Sequence, residues 1–173
     1  NFVNNSLATS KAAVIIKNSD FFVLEGLQID PNSNCPIVFI GKDQLVIVQN
    51  NIFENGKHGI VCDNENQGTA PKINIFNNLF LNCNNIGINI INTEMTNIVH
   101  NTIYGCEIGI FVKKNAKIIN NIIQKSDKFC VVVNNHSDND SWSVSKNIVD
   151  DTTILSLTKY NNYNDKEIKF DND

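Results

Sequence analysis

The stretch IVQNNIF, residues 47–53, decides the fold, because close copies return down the chain: IFNNLF at 75–80, IVHNTIY at 98–104 and IINNIIQ at 118–124. In each, an asparagine stands between aliphatic residues. Aligned on Leu27, Asn51, Asn78, Asn101, Asn121 and Asn147, successive copies lie 24, 27, 23, 20 and 26 residues apart. Two positions past each anchor comes an apolar residue: Ile29, Phe53, Phe80, Ile103, Ile123 and Val149. Three before stand Leu24, Val48, Ile75, Ile98, Ile118 and Val144. Four before stand Val23, Ile47, Asn74, Asn97, Lys117 and Ser143, so the apolar alternation reads as slipping by one in the first two copies. A second phrase follows each turn: GIVC at 59–62, GINI at 87–90, GIFV at 109–112 and CVVV at 130–133, with IVFI at 37–40 as the first copy. Asn, Gly, Asp and Ser fill the spaces between phrases and mark turns.

A fixed period of this length sets the architecture. Helical repeats need 3.6-residue periodicity over longer units, which no segment shows. A leucine-rich repeat lacks its frame here. A β-sandwich has no reason to restore one residue at one point of every unit. A parallel β-helix has that reason: coils stack at about 4.8 Å, so equivalent residues become vertical neighbours. The pattern therefore predicts an all-β solenoid of about 6 coils, each of 20–27 residues, over 1–149. Residues 150–173 read as an irregular C-terminal strand or cap with Tyr160, Tyr163 and Phe170, the chain continuing in a longer protein if this tail does not cover the last coil.

Stacking also accounts for the asparagine. A primary amide carries two donors and an acceptor. Stacked at strand spacing, each amide bonds the next and serves nearby backbone, so a group that would be costly in isolation is satisfied as a network. Asn51, Asn78, Asn101, Asn121 and Asn147 are expected to form this internal ladder. His100 takes the turn position held by Asn50, Asn77 and Asn120, and reads as a structural substitution. The five cysteines, Cys35, Cys62, Cys83, Cys106 and Cys130, are spaced 27, 21, 23 and 24 apart, which tracks the repeat and not a CxxC metal pattern. Cys83 and Cys106 each follow their anchor by five positions, so they should stack too. Adjacent coils fall within disulfide range, but the pair reads first as small buried filler.

Among 173 residues, 32 are Asn, 25 are Ile, and all 14 basic residues are Lys, with none clustered into the stripe that a phosphate backbone requires. Nucleic acid is not an expected partner, and no apolar run is long enough for a membrane span. The absence of an initiator Met and of a leader-like start leads us to expect a mature form or an excised segment.

The phrases NNIFENGKHGIVCDN, NNLFLNCNNIGINI and HNTIYGCEIGIFV resemble the right-handed parallel β-helix repeat of pectin-lyase-like proteins, over roughly residues 23–149. The resemblance implies a single-stranded right-handed parallel β-helix. It further implies an extracellular or cell-surface protein that binds or acts on polysaccharide. Fold alone does not fix activity. Having no arginine, the chain cannot be an arginine-based lyase. The hydrolase motifs of the group are missing too, and no carboxylate pair at glycosidase spacing is legible. The expected function is a non-catalytic module that binds polysaccharide. Two alternatives stand beside it: a uronate lyase using a lysine base with Ca²⁺, and an assembly scaffold with no glycan ligand.

Candidate sites lie where the copies differ. Lys57 and His58, in a turn beside Glu54, Asp63 and Glu65, supply the base, imidazole and acids that a lyase would use. Tyr104, Glu107 and Lys113 offer an aromatic platform and polar groups for sugar. Asp138 and Asp140 join Asp63 and Glu65 as candidate Ca²⁺ ligands, although the loop at 134–142 lacks the Gly and distal Glu of an EF-hand. With the anchor asparagines inward, Ile52, Leu79, Ile122 and Ile148 should point outward, as should Val61, Phe111 and Val132. Such apolar rows suit lateral contact with another protein.

Overall fold

The computed structural model describes residues 12–31, 34–41, 45–63, 70–134, 142–149, 156–157 and 168–169. In chain order the strands are β1 (Val14–Ile16), β2 (Phe21–Glu25), β3 (Gln28–Ile29), β4 (Pro36–Ile40), β5 (Leu45–Gln49), β6 (Ile52–Glu54), β7 (His58–Cys62) and β8 (Lys72–Phe76). Then come β9 (Leu79–Leu81), β10 (Ile86–Ile90), β11 (Met95–Val99), β12 (Thr102–Tyr104), β13 (Ile108–Val112), β14 (Ala116–Ile119), β15 (Ile122–Gln124) and β16 (Phe129–Val133). The last are β17 (Trp142–Ser145), β18 (Ile148–Val149), β19 (Ser156–Leu157) and β20 (Ile168–Lys169).

Every third strand pairs in parallel, giving three sheets that run the length of the solenoid. Sheet A is β1-β4-β7-β10-β13-β16-β19, sheet B is β2-β5-β8-β11-β14-β17-β20, and sheet C is β3-β6-β9-β12-β15-β18. This is the right-handed parallel β-helix that the repeat implied, each coil contributing one strand to each sheet. β19 and β20 extend sheets A and B past residue 150, while Tyr160, Tyr163 and Phe170 lie outside the described residues. Among the described residues, no helix is long and apolar enough to cross a membrane.

Period-two alternation sends one set of side chains into the bore, as the pleat requires. Sheet C contributes Phe53, Phe80, Ile103 and Ile123, all fully buried, and the Phe53 and Phe80 rings tilt against each other with centroids 5.2 Å apart. Sheet B contributes Leu24, Val48, Ile75, Ile98, Ile118 and Val144, and sheet A contributes Val38, Ile60, Ile88, Ile110 and Val131. The apparent phase slip is not real. Val23, Ile47, Asn74, Asn97, Lys117 and Ser143 form one continuous outward row in register. In the first two coils that outward row is itself apolar, which blurs the alternation without moving it.

The asparagine ladder runs as expected. Asn51 Nδ2 donates to Asn78 Oδ1 at 3.0 Å, Asn78 Nδ2 to Asn101 Oδ1 at 3.0 Å, Asn101 Nδ2 to Asn121 Oδ1 at 3.1 Å, and Asn121 Nδ2 to Asn147 Oδ1 at 2.9 Å. Each of these oxygens also accepts the backbone N–H of the preceding anchor, at 2.8 to 3.0 Å. The amide also serves two carbonyls: for Asn101 these are Ile75 O at 2.9 Å and Val99 O at 3.2 Å. The ladder starts at Leu27, where only a backbone donor is required, and Leu27 N gives it to Asn51 Oδ1 at 3.0 Å.

Each ladder Asn follows a residue in the left-handed region: Asn50 at φ 56°, Asn77 at 56°, His100 at 58°, Asn120 at 56° and Lys146 at 55°. Asparagine tolerates that region better than most residues. This explains the doublet in IVQNNIF, with the first Asn bending the chain and the second entering the bore. His100 is the structural substitution that its alignment implied.

Candidate functional site

A second left-handed corner joins sheets C and A, at Asn55 (φ 54°), Asn82 (φ 52°), Gly105 (φ 70°) and Lys125 (φ 52°). At Gly105 a Cβ would fall 2.5 Å from Asn82 Oδ1, so a larger residue there would have to move the Asn82 side chain. Behind this corner Gly56, Cys83, Cys106 and Ser126 turn into the bore, all buried. Cys83 and Cys106 occupy equivalent positions of adjacent coils, and the Cys106 thiol donates weakly to Tyr104 O at 3.9 Å. The interaction with Cys106, with burial, pushes the Cys83 thiol up, while the interaction with Cys83 holds Cys106 down against the opposing effect of burial.

The same corner carries most of the candidate sugar residues. Tyr104 closes β12 on the outer face of sheet C and pairs with Gln124 of the next coil. The Lys125 ammonium sits 5.0 Å from the Tyr104 ring centroid, a cation–π distance. A hydrogen bond donated by the Lys125 ammonium to the Tyr104 oxygen raises the pKa of Lys125. Glu107, two residues past Gly105, pairs with Lys128. Tyr104 and Glu107 therefore share one neighbourhood with Lys125 and Lys128. Lys113 does not join them. It follows β13, whose five residues set it about 20 Å from Glu107 across sheet A.

Lys57 and His58 lie at the start of β7, one coil before Cys83. Lys57 is exposed and His58 half-buried. Burial pushes the imidazole below its ordinary value, and Lys57 beside it acts in the same direction. His58 Nδ1 is buried with no hydrogen-bond partner. Asp63 follows β7 at its far end, so the strand holds it about 20 Å from Lys57. Glu65, Asp138 and Asp140 lie outside the described residues. Among the described residues, no group of three or more His, Cys, Asp or Glu is placed to hold a metal ion.

The outer rows divide by sheet. On sheet C, Ile122 and Ile148 are 38% and 57% exposed, with Ile52 and Leu79 half-buried along the same row. On sheet A, Val61 and Val132 occupy the outward row yet are only 8% and 7% exposed, so that part of the row is not solvent surface as expected. Between them Asn89 holds a buried Oδ1 with no hydrogen-bond partner. Sheet B carries a short outer amide rung, Asn97 Nδ2 donating to Asn74 Oδ1 at 2.7 Å.

Lys125 and Lys128 were not singled out from the sequence. The signal was present, since Lys125 follows Asn121 by four positions and Tyr104 follows Asn101 by three. Stacking those two positions puts the lysine one rung beyond the ring.

One family model matches residues 1–164, under the description "NosD: Periplasmic copper-binding protein (NosD)". No curated protein and no solved structure matches the chain.

Proposed function

The chain belongs to the NosD family of periplasmic β-helix repeat proteins, and from that premise we propose that it is a non-catalytic module of the cell envelope that holds polysaccharide against the outer face of sheet C. The observation that carries this reading is the corner around Tyr104. An aromatic ring on an exposed sheet face offers the apolar platform that a sugar ring stacks on. Lys125 over the ring, Gln124 one rung on and the Glu107–Lys128 pair beside it supply donors and acceptors for hydroxyl or carboxyl groups. An extended ligand suits a periodic face because successive rungs present the same geometry.

Lyase chemistry has less support. A lysine base and acid-bound Ca²⁺ must meet at one carbon, and β7 separates Lys57 from Asp63. The copper in the family description also finds no home among the described residues. The paired soft donors are Cys83 and Cys106, at 0% and 1% exposure inside the bore, with no third ligand placed beside them. The described residues do not fit a resident copper ion.

The test is a glycan array followed by calorimetry on the best hit. Wild-type protein is expected to bind, and Tyr104→Ala to weaken binding about tenfold, or about 1.4 kcal/mol, with an unchanged circular dichroism spectrum. A blank array would sink the reading. A second reading, lateral contact with another protein, is favoured by the exposure of Ile122 and Ile148. It predicts self-association or partner capture that Ile148→Lys abolishes, and a strict monomer that engages nothing in light scattering and pull-down would end it.

A further inference from the structure

We propose that Cys83 and Cys106 are a disulfide site that staples two adjacent coils from inside the bore. The two residues follow equivalent left-handed corners, Asn82 and Gly105, and those corners are tied by Asn82 N donating to Tyr104 O at 2.8 Å. Stacked coils set equivalent Cα atoms about 4.8 Å apart, inside the window of about 4.4–6.8 Å that a disulfide spans. Both thiols are buried in the bore, at 0% and 1% exposure, and the Cys106 thiol lies 3.9 Å from Tyr104 O, the carbonyl that Asn82 N bonds. The other cysteines stand at other positions of the coil. Cys62 is in register with Ile40 and Ile90, Cys35 abuts Lys57, and Cys130 lies against Gly109.

Forming the bond needs a two-electron oxidant, and the class that serves is a disulfide, either a small molecule or a thiol oxidase protein of the envelope. Thiolate at Cys106 attacks one sulfur of the oxidant, releasing its first thiol and leaving a mixed disulfide. Thiolate at Cys83 then displaces the second thiol, so the S–S bond of the oxidant is exchanged for the Cys83–Cys106 bond. The two cysteine protons end on the two released thiols. With both sulfurs buried, the exchange belongs to folding, before coils carrying β9 and β12 close on each other. A periplasmic family gives the oxidising setting. The closed loop contains one full coil, so the bond restricts the unfolded chain and favours stacking. The proposal does not depend on glycan binding.

The full chain, refolded in a glutathione redox buffer, is denatured, alkylated and digested without reduction. The expected product is one cross-linked peptide joining Cys83 to Cys106, two hydrogens lighter than the separate peptides, with Cys35, Cys62 and Cys130 alkylated. Reductant is expected to lower the melting temperature of this protein by about 5 °C. It should leave the Cys83→Ala/Cys106→Ala variant unmoved. Five alkylated cysteines, or any other pairing, would overturn the proposal, and neither result requires a variant to fold.

Discussion

The four coils from Asn50 to Lys125 each turn twice through the left-handed region, and the two corners have diverged. At the corner between sheets B and C, the residue behind the bend is Asn in every coil from Asn51 to Asn147, joined by side-chain bonds of 2.9 to 3.1 Å. Behind the corner between sheets C and A, the equivalents are Gly56, Cys83, Cys106 and Ser126. Both sets are buried in the same bore, so burial alone does not dictate identity. The difference lies in what each neighbour demands. An amide in the ladder has its donors and acceptor committed to the rungs above and below, so one change leaves several groups unpaired. A thiol, hydroxyl or bare glycine asks mainly for volume, and the second corner is free to vary.

The contrast breaks if removing a ladder amide is cheap. Asn101→Leu keeps the apolar bulk but leaves Asn78 N without its acceptor and takes one partner each from Asn78 Nδ2, Asn121 Oδ1, Ile75 O and Val99 O. Unpaired buried groups cost about 1–3 kcal/mol each, and partial relaxation brings the expected loss to about 3–5 kcal/mol. Urea unfolding followed by circular dichroism measures it. Leu27 shows why leucine is acceptable at the first rung alone, where only its backbone donor is used.

At the second corner the sensitive direction is addition. The row behind it runs Gly59, Gly87, Gly109, and these glycines leave room for the inward side chains of sheet C. A Cβ on Gly59 would lie 2.4 Å from Gly87 O and 2.5 Å from Phe80 Cδ1. Gly59→Ala is therefore expected to cost about 2 kcal/mol by overpacking, below the ladder variant and read from the same urea curve. A larger loss than Asn101→Leu would reverse the ranking of the two corners.

The same contrast explains what the sequence disclosed. The ladder, the Asn doublet and the role of His100 were legible because a hydrogen-bonded stack forces one residue type to recur. The second corner was not, because Asn55, Asn82, Gly105 and Lys125 share a backbone conformation and no common side chain. β1 went unmarked for a related reason, carrying neither phrase. Outward apolar residues misled twice, in the apparent slip at Val23 and Ile47 and in the assumption that Val61 and Val132 face solvent. Alternation reports which way a side chain points and not what covers it. The sugar candidates split likewise: Tyr104 and Glu107 flank one corner, while Lys113 is carried off by the length of β13.

The smallest expected effect comes from His58, just past the second corner. Its register neighbours Pro36 and Ile86 cannot ionise, and Lys57 beside it repels a second positive charge. Burial and that lysine hold its pKa below the ordinary value of about 6.5. Between the folded and unfolded values, the unfolded chain binds more protons than the native one, so stability rises with pH in that window and falls as the solution is acidified through it. The loss begins near pH 6.5 and flattens once the folded value is passed. Because the ring is only half-buried, solvent screens the effect and the slope is shallow. His58→Gln removes the titration while keeping a polar side chain, so its urea midpoint should vary less between pH 7.5 and 5.5 than that of the wild type. Ladder amides do not titrate, and Asn101→Leu should keep the full wild-type pH dependence on its lower baseline. If it lost that dependence instead, the two corners would be coupled and could no longer be treated as separate devices within one coil.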